Sequence, residues 1–242
     1  DLSDWHGNMS LWSVENGELV GRTTGLKENE FLATDLAAGD FRLKLEVDLV
    51  GNRGNSGIQF RSEQLPDGLV KGYQADVGIG WWGKLYEEHG RALLWKKSGE
   101  SFVKPGWNTY EIEAKGSKIR TWINGNLCVD LEDTGGARRG VFALQLHSGG
   151  STEVRFRNFE LTLDWRIAQG GNSGIKYLVL EDRDAAIGHE YQIIDDERHP
   201  DAKVGPKRQT SAFYDVLAAT KPPARPAGQF NQARIVVRGT MV

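Results

Sequence analysis

Phe41–Phe60 reads FRLKLEVDLVGNRGNSGIQF, and Phe159–Tyr177 reads FELTLDWRIAQGGNSGIKY. Each is an alternating strand, a Gly-rich turn, the tetrapeptide Asn-Ser-Gly-Ile and the start of another alternating strand. In the first, Leu43, Leu45, Val47 and Leu49 interleave with Lys44, Glu46 and Asp48. A period of two sends one set to a core and the other to water, which is the pattern of a half-buried strand. The likeness continues downstream in the same order. Gly72-Tyr73-Gln74-Ala75-Asp76-Val77 matches Gly188-His189-Glu190-Tyr191-Gln192-Ile193, Lys84-Leu85-Tyr86 matches Ala212-Phe213-Tyr214, and Trp107–Gly116 matches Phe230–Gly239. Four blocks in one order make an internal repeat.

Nearly every other segment also reads as strand. Ile119–Val129 is a strand, an Asn124-Gly125 hairpin turn and its return strand. Val141–His147 and Glu153–Leu163 supply closing strands. Lys84–Lys97 has some helical character, against which Gly90 argues. Many short strands at regular spacing indicate an all-β antiparallel sandwich or jelly roll. Residues 1–160 form one complete module and residues 161–242 a second, related one. The second copy lacks counterparts of the opening and closing strands, and Phe156–Leu161 serves both as the last strand of the first copy and the first of the second. The expectation is that residues beyond this chain, or another chain, complete it, since a half sandwich leaves sheet edges and an apolar face open.

Composition is consistent with this. Gly makes up 30 of 242 residues and is scattered as turns require. The 8 Trp offer flat apolar faces with one polar edge, which suit sugar rings as well as cores. A net charge of −3 with mixed signs gives no basic surface for nucleic acid. No stretch approaches the roughly 20 apolar residues of a membrane helix. The single cysteine, Cys128, allows neither an internal disulfide framework nor a paired-cysteine metal site. A chain opening at Asp1 reads as a trimmed mature product.

Several motifs fail on their chemistry. Gly78–Gly83 fits the dinucleotide fingerprint, but Trp81 and Trp82 stand where a backbone must approach pyrophosphate, and no βαβ unit follows. Glu46-Val-Asp48-Leu-Val-Gly51 resembles a glucanase strand whose final glutamate is here Gly51. A retaining glycosidase needs two carboxylates about 5 to 5.5 Å apart, so Glu46 and Asp48 read as the wet face of a strand. The five histidines show no metal-binding spacing, and Ser56 and Ser173 sit in turns that do not form a nucleophile elbow. No cofactor or metal is expected.

What remains is a set of polar pairs two residues apart: Gln59 and Arg61, Gln74 and Asp76, Gln145 and His147. Each pair projects from one face of a sheet. Together they are expected to line a polar concave surface with Trp81, Trp82 and Tyr86 at its rim.

On these residues the chain resembles the 3-keto-disaccharide hydrolase family, whose members have a concanavalin A-like lectin/glucanase fold. The likeness is carried by Asp4-Trp5, Gly54–Arg61, Gly72–Val77, Gly83–Tyr86, Pro105–Asn108, Trp122–Gly125, Gln145–His147 and Phe156–Asn158. In the second copy it is carried by Gly171–Tyr177, Gly188–Asp196, Ser211–Tyr214 and Gly228–Asn231. Gln74 and Asp76 depart from the family's Glu and Gln. The second copy keeps Glu190, Gln192, Asp195 and Asp196, but has Leu178 in place of Arg61 and no Gln-x-His strand.

The resemblance implies cleavage of a sugar already oxidised at C3. The ketone acidifies the C2 proton, a general base removes it, the C1 substituent leaves and water adds later. Donors must hold the developing enolate oxygen. His147 or Asp76 is the expected base, and Arg61, Gln59 and Gln145 are the expected donors. Gln74, Trp81, Tyr86, Glu190, Gln192 and Asp195 are expected to help bind a carbohydrate partner. The resemblance also implies a periplasmic or extracellular location, and association into homo-oligomers stays open. The rival readings are a non-catalytic carbohydrate-binding module and a scaffold domain within a larger secreted enzyme, because this fold serves lectins equally well.

Overall fold

The computed structural model describes residue 2 and residues 5–180, 187–220 and 224–237. They fall into two compact units, one running to residue 163 and taking up 234–237, the other spanning 164–233.

The first unit is built on two antiparallel sheets. In the seven-stranded sheet the order is β1 (Trp5–His6), β4 (Glu30–Ala38), β13 (Gly140–Leu146), β6 (Asn55–Gln64), β7 (Val70–Gly78), β8 (Leu85–Glu88) and β9 (Ala92–Trp95). The other sheet runs β12 (Asn126–Glu132), β11 (Lys118–Ile123), β10 (Asn108–Lys115), β5 (Phe41–Leu49), β14 (Thr152–Trp165), β3 (Glu18–Thr23) and β2 (Trp12–Glu15), with β17 (Asn231–Val237) also pairing with β14. Strand β13 comes late in the chain yet lies between β4 and β6, the crossed connectivity of a jelly roll. The segment with some helical character, Lys84–Lys97, forms the hairpin β8–β9.

The alternation in β5 works as the sequence implies: Leu43, Leu45, Val47 and Leu49 are buried while Arg42 and Lys44 are exposed. They join Tyr110, Ile112 and Ala114 of β10 in one core with Ile58, Phe60, Tyr73, Ala75, Val77, Leu85, Leu144 and Leu146 of the seven-stranded sheet. The ring of Phe41 meets that of Phe142 edge-on at 4.8 Å, and Phe60 stacks on Tyr73 at 5.4 Å. Asn124 and Gly125 both have positive φ (50° and 79°), as a two-residue turn matched to strand twist requires.

The second unit contains the two-stranded sheet β15 (Asn172–Leu180) and β16 (Ile187–Ile194). Its register repeats that of β6 and β7 pair for pair. Asn55, Gly57, Gln59 and Phe60 face Gly78, Asp76, Gln74 and Tyr73. Asn172, Gly174, Lys176 and Tyr177 face Ile194, Gln192, Glu190 and His189. Both pairings then break into an irregularity, after Phe60 and after Tyr177. The chain is therefore an all-β, antiparallel jelly-roll sandwich followed by a second copy of part of the same module. Among the described residues no helix is long and apolar enough to cross a membrane.

Candidate functional site

The face of the seven-stranded sheet turned away from the core carries polar residues in two adjacent rows. One runs Gln145, Gly57, Asp76 across β13, β6 and β7; the other runs Ala143, Gln59, Gln74, Tyr86, Leu93 across β13, β6, β7, β8 and β9. Residues opposite one another in a pleated sheet share a face, so all of these project together. Phe31, Ala33, Val70 and Ala143 form a small buried apolar cluster beside them, separate from the main core.

The polar side chains are bonded in series. Ser62 Oγ donates to Gln59 Oε1 at 2.9 Å, Gln59 Nε2 donates to Gln74 Oε1 at 2.8 Å, and Gln74 Nε2 donates to Asp76 Oδ1 at 2.7 Å. All four residues are buried. Gly57 makes the last bond possible: the Gln74 side chain lies where a Cβ at position 57 would stand. The series ends on Asp76 Oδ2, which is buried and has no hydrogen-bond partner. On the far side of Gly57, Gln145 Oε1 is also buried without a partner, while its Nε2 donates to Glu88 Oε2 at 3.4 Å. Two orphaned acceptors thus flank a residue with no side chain.

Burial pushes the Asp76 carboxyl up to about 7; the bond from Gln74 and the charge of Lys84 pull the other way, and Glu88 adds to the rise. A carboxylate titrating there is divided between its proton-accepting and proton-holding forms near neutrality.

Of the remaining expected residues, Arg61, His147 and Trp82 sit elsewhere. Arg61 does not stand beside Gln59. Strand β6 bulges after Phe60, Arg61 takes a left-handed φ of 48°, and Ser62 occupies the polar face instead. The buried guanidinium reaches the carbonyls of Gly39 at 2.9 Å and Gly116 at 2.7 Å, with Asp40 at 3.2 Å. Gly116 lies in the β10–β11 turn of the opposite sheet, so Arg61 ties the two sheets together and its donors are engaged in doing so. His147, just past β13, is exposed, and its Nδ1 meets the Ser148 carbonyl at 2.7 Å. Trp82 is a core residue, 1% exposed, with its indole N–H on Asn52 Oδ1, and does not form part of the rim. Trp81 is 39% exposed and packs edge-on against Tyr86 at 6.2 Å.

In the second unit Gln192 is buried, and its Oε1 accepts from the N–H of Ile193. Asp195 organises a loop: it accepts from the N–H groups of Gly170 at 2.8 Å and Glu197 at 3.1 Å, and these bonds, Gly170's first, hold its carboxyl below the usual range. Glu190 lies over Gly174 as Gln74 lies over Gly57. The side chain of Leu178 lies outside the described residues. Among the described residues no group of three or more His, Cys, Asp or Glu is placed to hold a metal ion.

Sequence reasoning missed Ser62, Glu88 and Lys84. Glu88 was legible in principle, two residues beyond Tyr86 on β8; Ser62 was not, because only the bulge brings it to this face.

A family model described as the 3-keto-alpha-glucoside-1,2-lyase-like domain matches residues 1–161 and again residues 151–242. The chain belongs to this family. The two matches to the 3-keto-alpha-glucoside-1,2-lyase-like domain overlap on the stretch that forms β14. A 3-keto-disaccharide hydrolase of Bacteroides thetaiotaomicron is 35% identical over 154 residues, which is 57% of this chain and 50% of that protein. The chain thus spans half the length of that relative. Two solved structures share the fold. One is a Parabacteroides distasonis protein provisionally named a glycosyl hydrolase (19% identity, TM-score 0.50, covering 65% of this chain and 92% of that one). The other is a Bacillus subtilis protein of unknown function with a galectin-like fold (10% identity, TM-score 0.50, covering 66% and 89%). At such identities they bear on architecture alone.

Proposed function

We propose that the chain is a carbohydrate-active enzyme that cleaves the glycosidic bond of 3-keto-glycosides by elimination and hydration, with Asp76 as the base. The carrying observation is Asp76 itself: a buried carboxyl titrating near 7, held on one oxygen by Gln74 and unpartnered on the other. Asp76 is buried among the polar residues of this face, whereas His147 is exposed beyond the end of β13, with its Nδ1 against its neighbour's carbonyl. Asp76 takes the C2 proton through Oδ2, the C1 substituent departs, and water adds to the resulting enone. Gln145 Oε1, across Gly57, accepts a sugar hydroxyl, and Trp81 and Tyr86 flank the ring. Family membership and the name of the Bacteroides relative support the substrate class. A periplasmic or extracellular location belongs to the same reading.

The second reading is a lectin-like module, favoured by the exposed Trp81 ring against Tyr86. Incubation with 3-keto-glucosides carrying a chromogenic aglycone separates the two. Release of aglycone dependent on the 3-keto group is expected. Binding of the sugar without release establishes the lectin.

A further inference from the structure

The two copies differ at the residue facing the centre of the site. Gln74 pairs with Tyr86 and Ala75 with Leu85, so the next pair in register is Asp76 with Lys84. The backbone bulges at this step: the Asp76 N–H donates to the Lys84 carbonyl at 3.2 Å, but the N–H of Gly83 (φ 75°), and not that of Lys84, donates to the Asp76 carbonyl at 3.4 Å, so Gly83 and Lys84 both stand opposite Asp76. Opposed residues share a face, which puts the lysine stem beside the carboxyl. In the second copy the Gln192 N–H donates to the Ala212 carbonyl at 3.1 Å, and the Ser211 N–H to the Gln192 carbonyl at 2.9 Å. The backbone is the same, but the acid has become an amide and the lysine an alanine. The chain carries both charges in one copy and neither in the other.

The Lys84 ammonium rests 4.9 Å from the centroid of Trp81, and among the described residues it makes no ion pair within 4.0 Å. Its charge nevertheless reaches Asp76, where it favours the ionised carboxylate. Elimination across C1 and C2 needs a donor for the enolate oxygen. Arg61 is committed to backbone carbonyls of both sheets. Lys84 is a cation on the correct face that, among the described residues, rests on Trp81 and makes no ion pair.

We propose that Lys84 is the catalytic electrophile of the first copy, its ammonium turning from Trp81 to hold the C3 oxygen of a 3-keto-glycoside as Asp76 takes the C2 proton. This rests on the function proposed above. The C2–H bond breaks, its proton goes to Asp76, and its electron pair forms the C2=C3 bond. The carbonyl pair moves onto the C3 oxygen, where the ammonium meets it. That pair then re-forms C3=O, the double bond shifts to C1=C2, and the C1–O bond breaks. The leaving oxygen keeps its pair and takes the proton from Asp76. The second copy, with Gln192 and Ala212, has neither the base nor the electrophile at these positions.

The test uses the whole chain and a 3-keto-glucoside, comparing Lys84→Met, Lys84→Arg and wild type. Methionine keeps an apolar stem on Trp81, and the melting temperature checks the fold. Lys84→Met is expected to lose about 10²- to 10³-fold in kcat, the range for one enolate donor, and Lys84→Arg to recover to within about tenfold. A pH profile adds a readout that lost packing alone does not give. The groups facing Asp76 are Glu88 and Lys84, with the Tyr110 hydroxyl 3.4 Å from the Asp76 carbonyl. Removing the one cation raises the Asp76 pKa, so the rising limb of kcat/KM moves to higher pH in Lys84→Met and stays in place in Lys84→Arg. Full rate with an unmoved limb in Lys84→Met, beside an active wild type, overturns the electrophile alone. A wild type without turnover overturns the parent reading and the electrophile together.

Discussion

The hairpins β6–β7 and β15–β16 have one register, one Asn-Ser-Gly entry and one glycine under a long polar side chain, yet different chemistry. In the first, Gln74 bonds a buried aspartate that faces a lysine; in the second, Glu190 lies over Gly174 and an amide faces an alanine. The comparison separates what the backbone repeat fixes from what three side chains decide. At this position desolvation raises the proton affinity of a carboxyl in the first hairpin, whereas the second has an amide that cannot titrate.

The largest effect should follow from making the first hairpin resemble the second. Asp76→Asn is expected to lower turnover of a 3-keto-glycoside by about 10²- to 10⁴-fold, with Gln192→Ala within about threefold of wild type. Comparable losses in both would make the two hairpins one working site. The same substitution has a thermodynamic signature. The folded-state pKa of Asp76 is raised from 3.8 to about 7. The stability this contributes is therefore complete below about pH 4 and is lost as the pH rises through 7. Over that window the asparagine variant should gain on wild type by about 4 kcal/mol, read from urea unfolding at pH 4 and pH 8. Parallel stability curves would mean that Asp76 titrates as it does in solution.

Next in size is Arg61→Leu, which gives the first copy the residue type of the second. It strands the carbonyls of Gly39 and Gly116 and should cost about 3 kcal/mol in urea unfolding. Turnover at a temperature where the fold persists should stay within about threefold. A hundredfold loss of turnover at unchanged stability would return Arg61 to the site.

The smallest effect distinguishes the two glycines. In Gly57→Ala the new methyl displaces Gln74, Asp76 loses the bond that favours its charged form, and kcat/KM at pH 7 should fall about tenfold, its rising limb shifted upward. Gly174→Ala should leave that profile unmoved, since the carboxyl it disturbs is not the proposed base. Equal pH shifts from both glycines would erase the distinction.

Much of this was readable in advance. Period-two patterning located β5, the Asn124-Gly125 pair located its hairpin, and the repeat foretold that two distant hairpins would pair in one register. Polar residues on Gln59, Gln74, Asp76 and Gln145 pointed to one face because unbroken strands alternate faithfully. The reading broke at Arg61, where a left-handed arginine leaves no mark in sequence, so a bulge exchanged it for Ser62. It broke again at Trp81 and Trp82, adjacent residues of one type in the β7–β8 turn, where no strand period says that one ring faces outward and the other the core. Lys84 escaped notice because its meaning comes from standing opposite Asp76 across a turn.

The position of β13 has a consequence for how the protein is made. The slot between β4 and β6 is filled by a strand translated only after β12, and that strand also brings Gln145 and Ala143 to the polar face. Ribosomes add about 5–20 residues per second, so for several seconds each nascent chain holds two ready strand edges with nothing between them. Unpaired strand edges are templates for pairing with another chain, a general route to aggregation. A chain stopped before residue 140 has no β13 and keeps both edges open, well before its site has any chemistry to perform.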